Sequence, residues 1–356
     1  MSSNWTVFVA LCSIIGGRGR DILQACVDAG DMPQLIAMAA SQDVLPALAA
    51  RCYEQADWAD AISEVDEQSL RNALLENPRR NMHIVVQSVH LIRALNDAGI
   101  KPLMLKGTAQ LLTINRERPG FRKQADIDFI VPPASLLAAG DALLAQGYGF
   151  YLEDEVFHGP THALGDTHAA IKASAAHHHL PPLMKRDQVS LVELHRHFLP
   201  QRFQHRNPLA ELFDAATEHD IQGASFLVPS TEHQIIHMVL GKLVHDGYLA
   251  RRTFPIREAA DYIALLDSAD GVIDSERVAR RCGKAFNIFA QLVTELMNYP
   301  AESPGPTSSV KYRIEMMRMR YDSPAPAKLL DGYARAGHLT CAMLHNPSKL
   351  SAYLRR

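Results

Sequence analysis

The chain has 356 residues, with 36 Lys plus Arg against 39 Asp plus Glu and a formal charge of −3, so no global basic field is available to grip nucleic acid. At 47% hydrophobic and 21% charged residues the composition is globular, which excludes wholesale disorder and collagen-like or coiled-coil architecture. Cys12, Cys26, Cys52, Cys282 and Cys341 form no C-x-x-C pair, so neither a disulfide framework nor a zinc-thiolate site is indicated and a reducing cytoplasm is the expected compartment.

Trp5 to Ile15 is an apolar run with no basic residue before it, far short of the roughly 20 residues needed to cross a bilayer, and it reads as an opening core helix. The text stays Ala/Leu-rich to about residue 98, where Ile84, Val85, Val89, Leu91, Ile92 and Leu95 recur at helical spacing. Asn77-Pro78 predicts a break before that helix, and Gly99 a stop after it. Ile100 to Leu105 then reads as a short strand, Gly107 to about Ile114 as a helix, and Ala125 to Val131 as a strand stopped by Pro132-Pro133. Pro133 to Gly147 keeps one apolar face and predicts a further helix, followed by an extended segment over Tyr148 to Leu152.

Glu153 to Arg186 is irregular and His-rich, with His158, His162, His168 and the run His177-His178-His179, and predicts a long loop or hairpin excursion. Val189 to Phe198 resumes strict alternation, which on a strand sends Val189, Leu191, Glu193, His195 and His197 to one face. After Val228-Pro229 the helical signal returns, Thr231 and Gln234 forming a capping box ahead of Ile235, Ile236, Val239, Leu240, Leu243 and Val244. The remainder is helical to Arg356, apart from a loop over Tyr299 to Ser309 that holds three prolines. Residues 1–98 thus form a helical region, 99–228 a mixed core and 229–356 a second helical domain, an α+β plan with a small central sheet and helical additions on either side.

The chemistry lies in the middle segment. Asp126-Ile127-Asp128 on a strand places two carboxylates on one face about 7 Å apart, from a rise of about 3.4 Å per residue. Carboxylates within an apolar strand repel one another and cost stability, which a divalent cation would offset. Oxygen ligands favour a hard ion such as Mg²⁺, and Glu193 on a later strand supplies a third carboxylate. Two such ions about 3.5 to 4 Å apart stabilise the attacking and leaving oxygens of an in-line displacement at phosphorus. Either Glu193 or its neighbour His195 could deprotonate an acceptor. Upstream, Lys106-Gly107-Thr108 opens a helix after a strand, where glycine admits phosphate to the backbone, the helix N-terminus offers free N–H groups, and Lys106 adds charge.

The motifs LMLKGTAQLL, RPGFRKQADIDFIV, AQGYGF and VELHRHF, in that order over roughly residues 80 to 265, resemble the nucleotidyltransferase fold of the polymerase-beta-like type, in its uncharacterised bacterial branch NTP_transf_5. The resemblance implies that Asp126 and Asp128 are paired metal ligands and catalytic carboxylates, that Glu193 is the third, and that Lys106-Gly107 stands where the wider fold has Gly-Ser. That departure leaves Lys106 or Thr108 to contact phosphate in place of the serine. Arg118 and Arg122 match basic positions of the branch that reach triphosphate oxygens. His195 is expected to line the nucleotide site, and Lys242 with His245 to approach it from the first helix after the sheet.

The implied activity is a Mg²⁺-dependent (or Mn²⁺-dependent) nucleotidyltransferase moving a nucleoside monophosphate from an NTP, ATP first, to a small-molecule acceptor. The alternatives are a toxin-like enzyme that modifies tRNA or protein and a non-catalytic nucleotide-binding module. Other features have plainer readings. His177-His178-His179 reads as a solvated loop run, His233 and His237 as packing histidines lacking a third ligand, and Arg257 with Asp261 as an ion pair along one helix.

Overall fold

The computed structural model describes residues 2–54, 62–153, 160–175, 177–269, 272–299 and 306–323. Four short helices open the chain: α1 (Asn4–Ile15), α2 (Arg20–Asp28), α3 (Met32–Ser41) and α4 (Leu45–Tyr53). Helix α1 is the expected core helix, begun by Ser3, whose side chain accepts from the Thr6 N–H. Helix α5 (Glu64–Asp97) follows, capped by Ser63 and carrying Glu64, Asp66 and Glu67 in its first turn, where the helix dipole favours negative charge.

Asn77-Pro78 does not break α5, contrary to the sequence expectation. Proline removes one backbone hydrogen bond and strains the preceding turn, but the surrounding contacts fix the helix through it. The Asn77 amide donates to the Gly120 and Arg122 carbonyls at 2.7 and 3.1 Å, and Gly120, lacking a Cβ, lies directly against the Pro78 ring.

The middle of the chain builds β1 (Leu103–Met104), α6 (Lys106–Leu112), β2 (Ile127–Ile130), α7 (Leu136–Ala145), β3 (Gly149–Glu153), β4 (Pro160–Leu164), α8 (Thr167–Ala173), β5 (Leu183–Met184), β6 (Val192–His195), α9 (Leu209–Asp214), β7 (Thr217–Ile221) and β8 (Ala224–Val228). The strands form one mixed sheet in the order β4-β3-β5-β6-β2-β1-β8-β7. β2 runs parallel to β6 and β1 parallel to β8, and the other pairs are antiparallel. The His-rich excursion is the β3–β4 hairpin, then α8 and β5; His158 lies outside the described residues. The β7–β8 hairpin has no counterpart in the sequence expectations. Its turn places Gln222 and Gly223 both at positive φ, the backbone that a two-residue loop uses to match strand twist.

The C-terminal part comprises α10 (Thr231–His237), a π-helical continuation over Met238–His245, α11 (Tyr248–Arg251), α12 (Ile256–Ser268), α13 (Ser275–Cys282), α14 (Lys284–Met297) and α15 (Ser308–Asp322). The expected capping box at Thr231 is displaced by one residue: Ser230 caps α10 by accepting from the His233 N–H, and Gln234 donates to the Pro229 carbonyl.

Two hydrophobic cores sandwich the sheet. Ile127 and Phe129 of β2 and Val192 and Leu194 of β6 pack with Ile84, Leu91, Ile92 and Leu95 of α5. The opposite face, carrying Ile130 with Leu103 and Leu105, meets a second core made jointly by α1–α4 and the helices from α10 onward. Strands buried on both faces read as continuous apolar runs. Against that background Asp128, Glu193 and His195 are the exceptions, and all three lie on the second face.

Candidate active site

The site is assembled where β1, β2 and β6 lie side by side. In the parallel register Asp128 stands directly opposite Glu193, and Ile130 opposite His195, so period-two alternation brings Asp128, Glu193 and His195 to one face. Asp126 precedes β2 and also lines the cleft. Beyond β1 the chain turns abruptly into α6, with Lys106 at a left-handed φ of 51° that costs a non-glycine residue energy. Its side chain crosses to the carboxylates. Lys106 Nζ lies 2.6 Å from Asp128 Oδ1 and 3.4 Å from Glu193 Oε2.

His195 approaches the same two carboxylates from below. Its ring is fully buried, Nε2 donates to Asp128 Oδ1 at 3.1 Å and lies 3.4 Å from Glu193 Oε2, and Nδ1 finds no partner among the described residues. His178 and His179 pack against it with their rings tilted by 53° and ring centres 5.3 and 5.5 Å away. The solvated-loop reading of the histidine run is thereby corrected for these two residues. The His178 carbonyl accepts from the Arg196 and His197 N–H groups, and its side chain lines the cleft.

Charge and burial compete throughout. Burial and the neighbouring Glu193 and Asp128 charges push Asp126 up to about 6. Burial also acts to raise Asp128, but Lys106 and the His195 hydrogen bond outweigh it and hold that carboxyl below its ordinary range. Glu193 is likewise lowered, with His195 and Lys106 overcoming its burial. Burial favours a neutral Lys106, yet Asp128 and Glu193 raise its pKa and keep it an ammonium. Burial and the cationic surroundings lower His178 to about 2 and His237 to about 3, so both present neutral rings to the cleft.

Gly107 and Thr108 serve the site from beneath. A Cβ at Gly107 would collide with the Arg122 and Gln124 side chains, which lie across that backbone. The buried Thr108 hydroxyl donates to the Asp126 carbonyl at 3.2 Å and accepts from the Asp128 N–H at 3.0 Å, fixing the Asp-x-Asp backbone. Arg122 lines the cleft, with Nε donating to both Asp261 oxygens at 2.9 and 3.0 Å. Arg118 stands away from the cleft, largely exposed and 3.6 Å from Glu54. Lys242 also lines the cleft, paired with Asp246 at 3.0 Å.

The structure therefore brings Lys106, Gly107, Arg122, Asp126, Asp128, Glu193 and Lys242 to one cleft, sets Thr108 and His195 just beneath it, and leaves Arg118 outside. Sequence reasoning missed Gln124, Gln234 and Glu258 on its walls. The expected Arg257–Asp261 pair does not form: Asp261 is taken by Arg122, and Arg257 binds Glu258 at 2.8 Å and faces Asp43 at 3.8 Å. His237 also lines the cleft, whereas His233 is the packing histidine expected, hydrogen-bonded to Ser230 and Arg277.

The donor set fits a divalent cation. Asp128, Glu193 and His195 each offer one ligand atom, all within 4.8 Å of one another, and Lys106 Nζ already stands against the two carboxylates as a positive charge.

A mixed sheet that sets paired carboxylates on adjacent parallel strands, beside a strand-to-helix turn and under a helical wall, is an α+β nucleotidyltransferase architecture. The chain belongs to NTP_transf_5, the family described as uncharacterised nucleotidyltransferase, which matches residues 28–293. A search of curated proteins returns no match. Among the described residues no helix is long and apolar enough to cross a membrane.

Proposed function

We propose that the protein is a divalent-cation-dependent nucleotidyltransferase, using Mg²⁺ with Mn²⁺ as substitute, that transfers a nucleoside monophosphate from an NTP, ATP first, to a small-molecule acceptor. The observation that carries this reading is the in-register pairing of Asp128 with Glu193 at the floor of a cleft that Asp126, Lys106 and Arg122 also line. In the reaction an acceptor oxygen or nitrogen bonds to the α-phosphorus, the bond from that phosphorus to the bridging oxygen breaks, and pyrophosphate departs as the acceptor loses its proton.

Asp126, Asp128 and Glu193 would hold the cation, joined by His195 Nε2 once it gives up the proton it donates to Asp128, and the bound cation would supply positive charge to the oxygens around the reacting phosphorus. Lys106 and Arg122 bring cationic donors to the triphosphate, and Lys242, which lines the same cleft, adds a third. Arg122, fastened to Asp261 of α12, ties the donor side of the cleft to the helical wall that would receive the acceptor. Because no covalent intermediate is needed, catalysis is a matter of position and charge.

The test is a thermal-shift panel of ATP, GTP, CTP and UTP with and without Mg²⁺, followed by pyrophosphate release with the nucleotide that binds. The expected result is a Mg²⁺-dependent stabilisation by one nucleotide. Asp128→Asn should abolish that shift and lower turnover by about 10²- to 10³-fold, the scale of a lost electrostatic stabiliser, while the fold survives. Full activity of both Asp126→Asn and Asp128→Asn would refute the assignment.

A further inference from the structure

We propose that Lys106 is the resident counter-ion of the carboxylate cluster, and that it surrenders Asp128 and Glu193 to the entering divalent cation and turns to the triphosphate. This inference rests on the nucleotidyltransferase reading and gives Lys106 two successive places within that site.

The ammonium lies 2.6 Å from Asp128 Oδ1 and 3.4 Å from Glu193 Oε2, and these are two of the three residues whose ligand atoms gather within 4.8 Å. An ammonium and a dication compete for these oxygens, because two cations drawn to shared ligands in a partly desolvated site repel strongly. Arg122 cannot take over as counter-ion, since its Nε is fastened to both oxygens of Asp261. Lys106 has somewhere to go: its side chain is 32% exposed, it lines the cleft, and four methylenes let the head swing while the backbone stays fixed.

Exchange also explains why a lysine stands at this turn. Without cation or nucleotide, Asp128 and Glu193 would face one another across adjacent strands unneutralised, and an unpaired buried charge is strongly destabilising. Lys106 relieves that repulsion. Once displaced, it needs a new anion, and triphosphate supplies one. Cation and nucleotide therefore assist each other's binding through a single side chain, and the assistance is reciprocal. Lys106 is a positioning residue in the first state and a phosphate ligand in the second.

The experiment measures Mn²⁺ binding, without nucleotide, by the electron paramagnetic resonance of the free ion, for the native protein and for Lys106→Met, Lys106→Arg and Asp128→Asn. Lys106→Met should bind Mn²⁺ about tenfold or more tightly than the native protein, because no ammonium competes. Lys106→Arg, which keeps the charge, should stay near native, and Asp128→Asn should lose binding. Native-like or weaker binding by Lys106→Met, with binding lost in Asp128→Asn, overturns the exchange and leaves the metal site standing. Undiminished binding by Asp128→Asn overturns both.

A second measurement needs no variant. Brief acetylation of the native protein followed by mass spectrometry should label Lys106 faster when Mg²⁺ is added, and slower again when a non-hydrolysable ATP analogue joins it. Labelling that does not respond to Mg²⁺ rejects the exchange.

Discussion

The hydroxyl of Thr108 is spent on the backbone of the two residues whose carboxylates matter most. It donates to the Asp126 carbonyl and accepts from the Asp128 N–H, so the Asp-x-Asp segment is fixed by a side chain on the neighbouring helix. Thr108→Val keeps the shape and removes the hydroxyl, leaving a buried N–H without its partner at a cost of about 1–3 kcal/mol. The urea midpoint should fall accordingly, and turnover should fall further than stability alone explains, because the carboxylates lose their alignment. Unchanged turnover in a destabilised variant would show that the tether serves only folding.

Histidine protonation belongs to the same scale. His237 faces Lys106, His195 and Asp128 and packs on Phe198, and His178 faces His195, His179 and Lys106. Both have folded-state pKa values below the unfolded value near 6.5, at about 3 and about 2. Between those limits the unfolded chain binds more protons than the folded one, so stability rises with pH and is lost as pH falls from 6.5 toward 3. Replacing His237 with Gln should flatten this dependence in thermal melts between pH 7 and pH 4. An unaltered slope would place the acid sensitivity elsewhere.

At the scale of elements, the site depends on α5 more than its distance in sequence suggests. Asn77 and Asn81, one turn apart, donate to the Gly120, Arg122 and Pro119 carbonyls and so hold the loop that delivers Arg122. Asn81→Ala removes the donor to the Pro119 carbonyl and one of the two donors to the Arg122 carbonyl. It should cost about 1–3 kcal/mol and raise the nucleotide concentration needed for half-saturation, because Arg122 loses its support. Normal nucleotide affinity at reduced stability would mean that Asn77, Gln124 and Asp261 position Arg122 without Asn81.

The legibility of these elements in sequence followed the range of the forces that make them. Strand β2 with Asp128 on it and Asp126 just before it was readable because Asp-Ile-Asp inside an apolar run is a local contradiction, visible without any partner. Glu193 and His195 were readable from alternation along one strand. The continuity of α5 through Pro78 was not, because it depends on Gly120, some forty residues away. Nor was the pairing of Arg122 with Asp261: two residues four apart, Arg257 and Asp261, suggested a helix pair, while the actual partner came from another element. The role of Gly107 shows the same limit. A glycine at a strand-to-helix turn pointed to phosphate, and the atoms crowding it are side chains of Arg122 and Gln124.

For the whole molecule, the decisive fact is that the helices before the sheet and those after it share one core. Phe8 of α1 is fully buried, with its ring stacked 4.2 Å from Tyr321 of α15, and the Trp5 N–H donates to Asp322 at 3.0 Å. The same core includes Ile235, Val239 and Leu243, on the segment whose other face provides His237 and Lys242 to the cleft. The cleft wall thus rests on packing from both ends of the described chain, and the two helical regions should not unfold separately. Phe8→Ala, which opens a cavity in that core, should cost about 3–5 kcal/mol. The loss should appear as one transition shifted as a unit, by calorimetry and by tryptophan fluorescence alike, since a shared core couples the elements that build it. An early transition confined to α1–α4, with the main transition unmoved, would show instead that the amino-terminal helices are an independent layer and that the cleft stands without them.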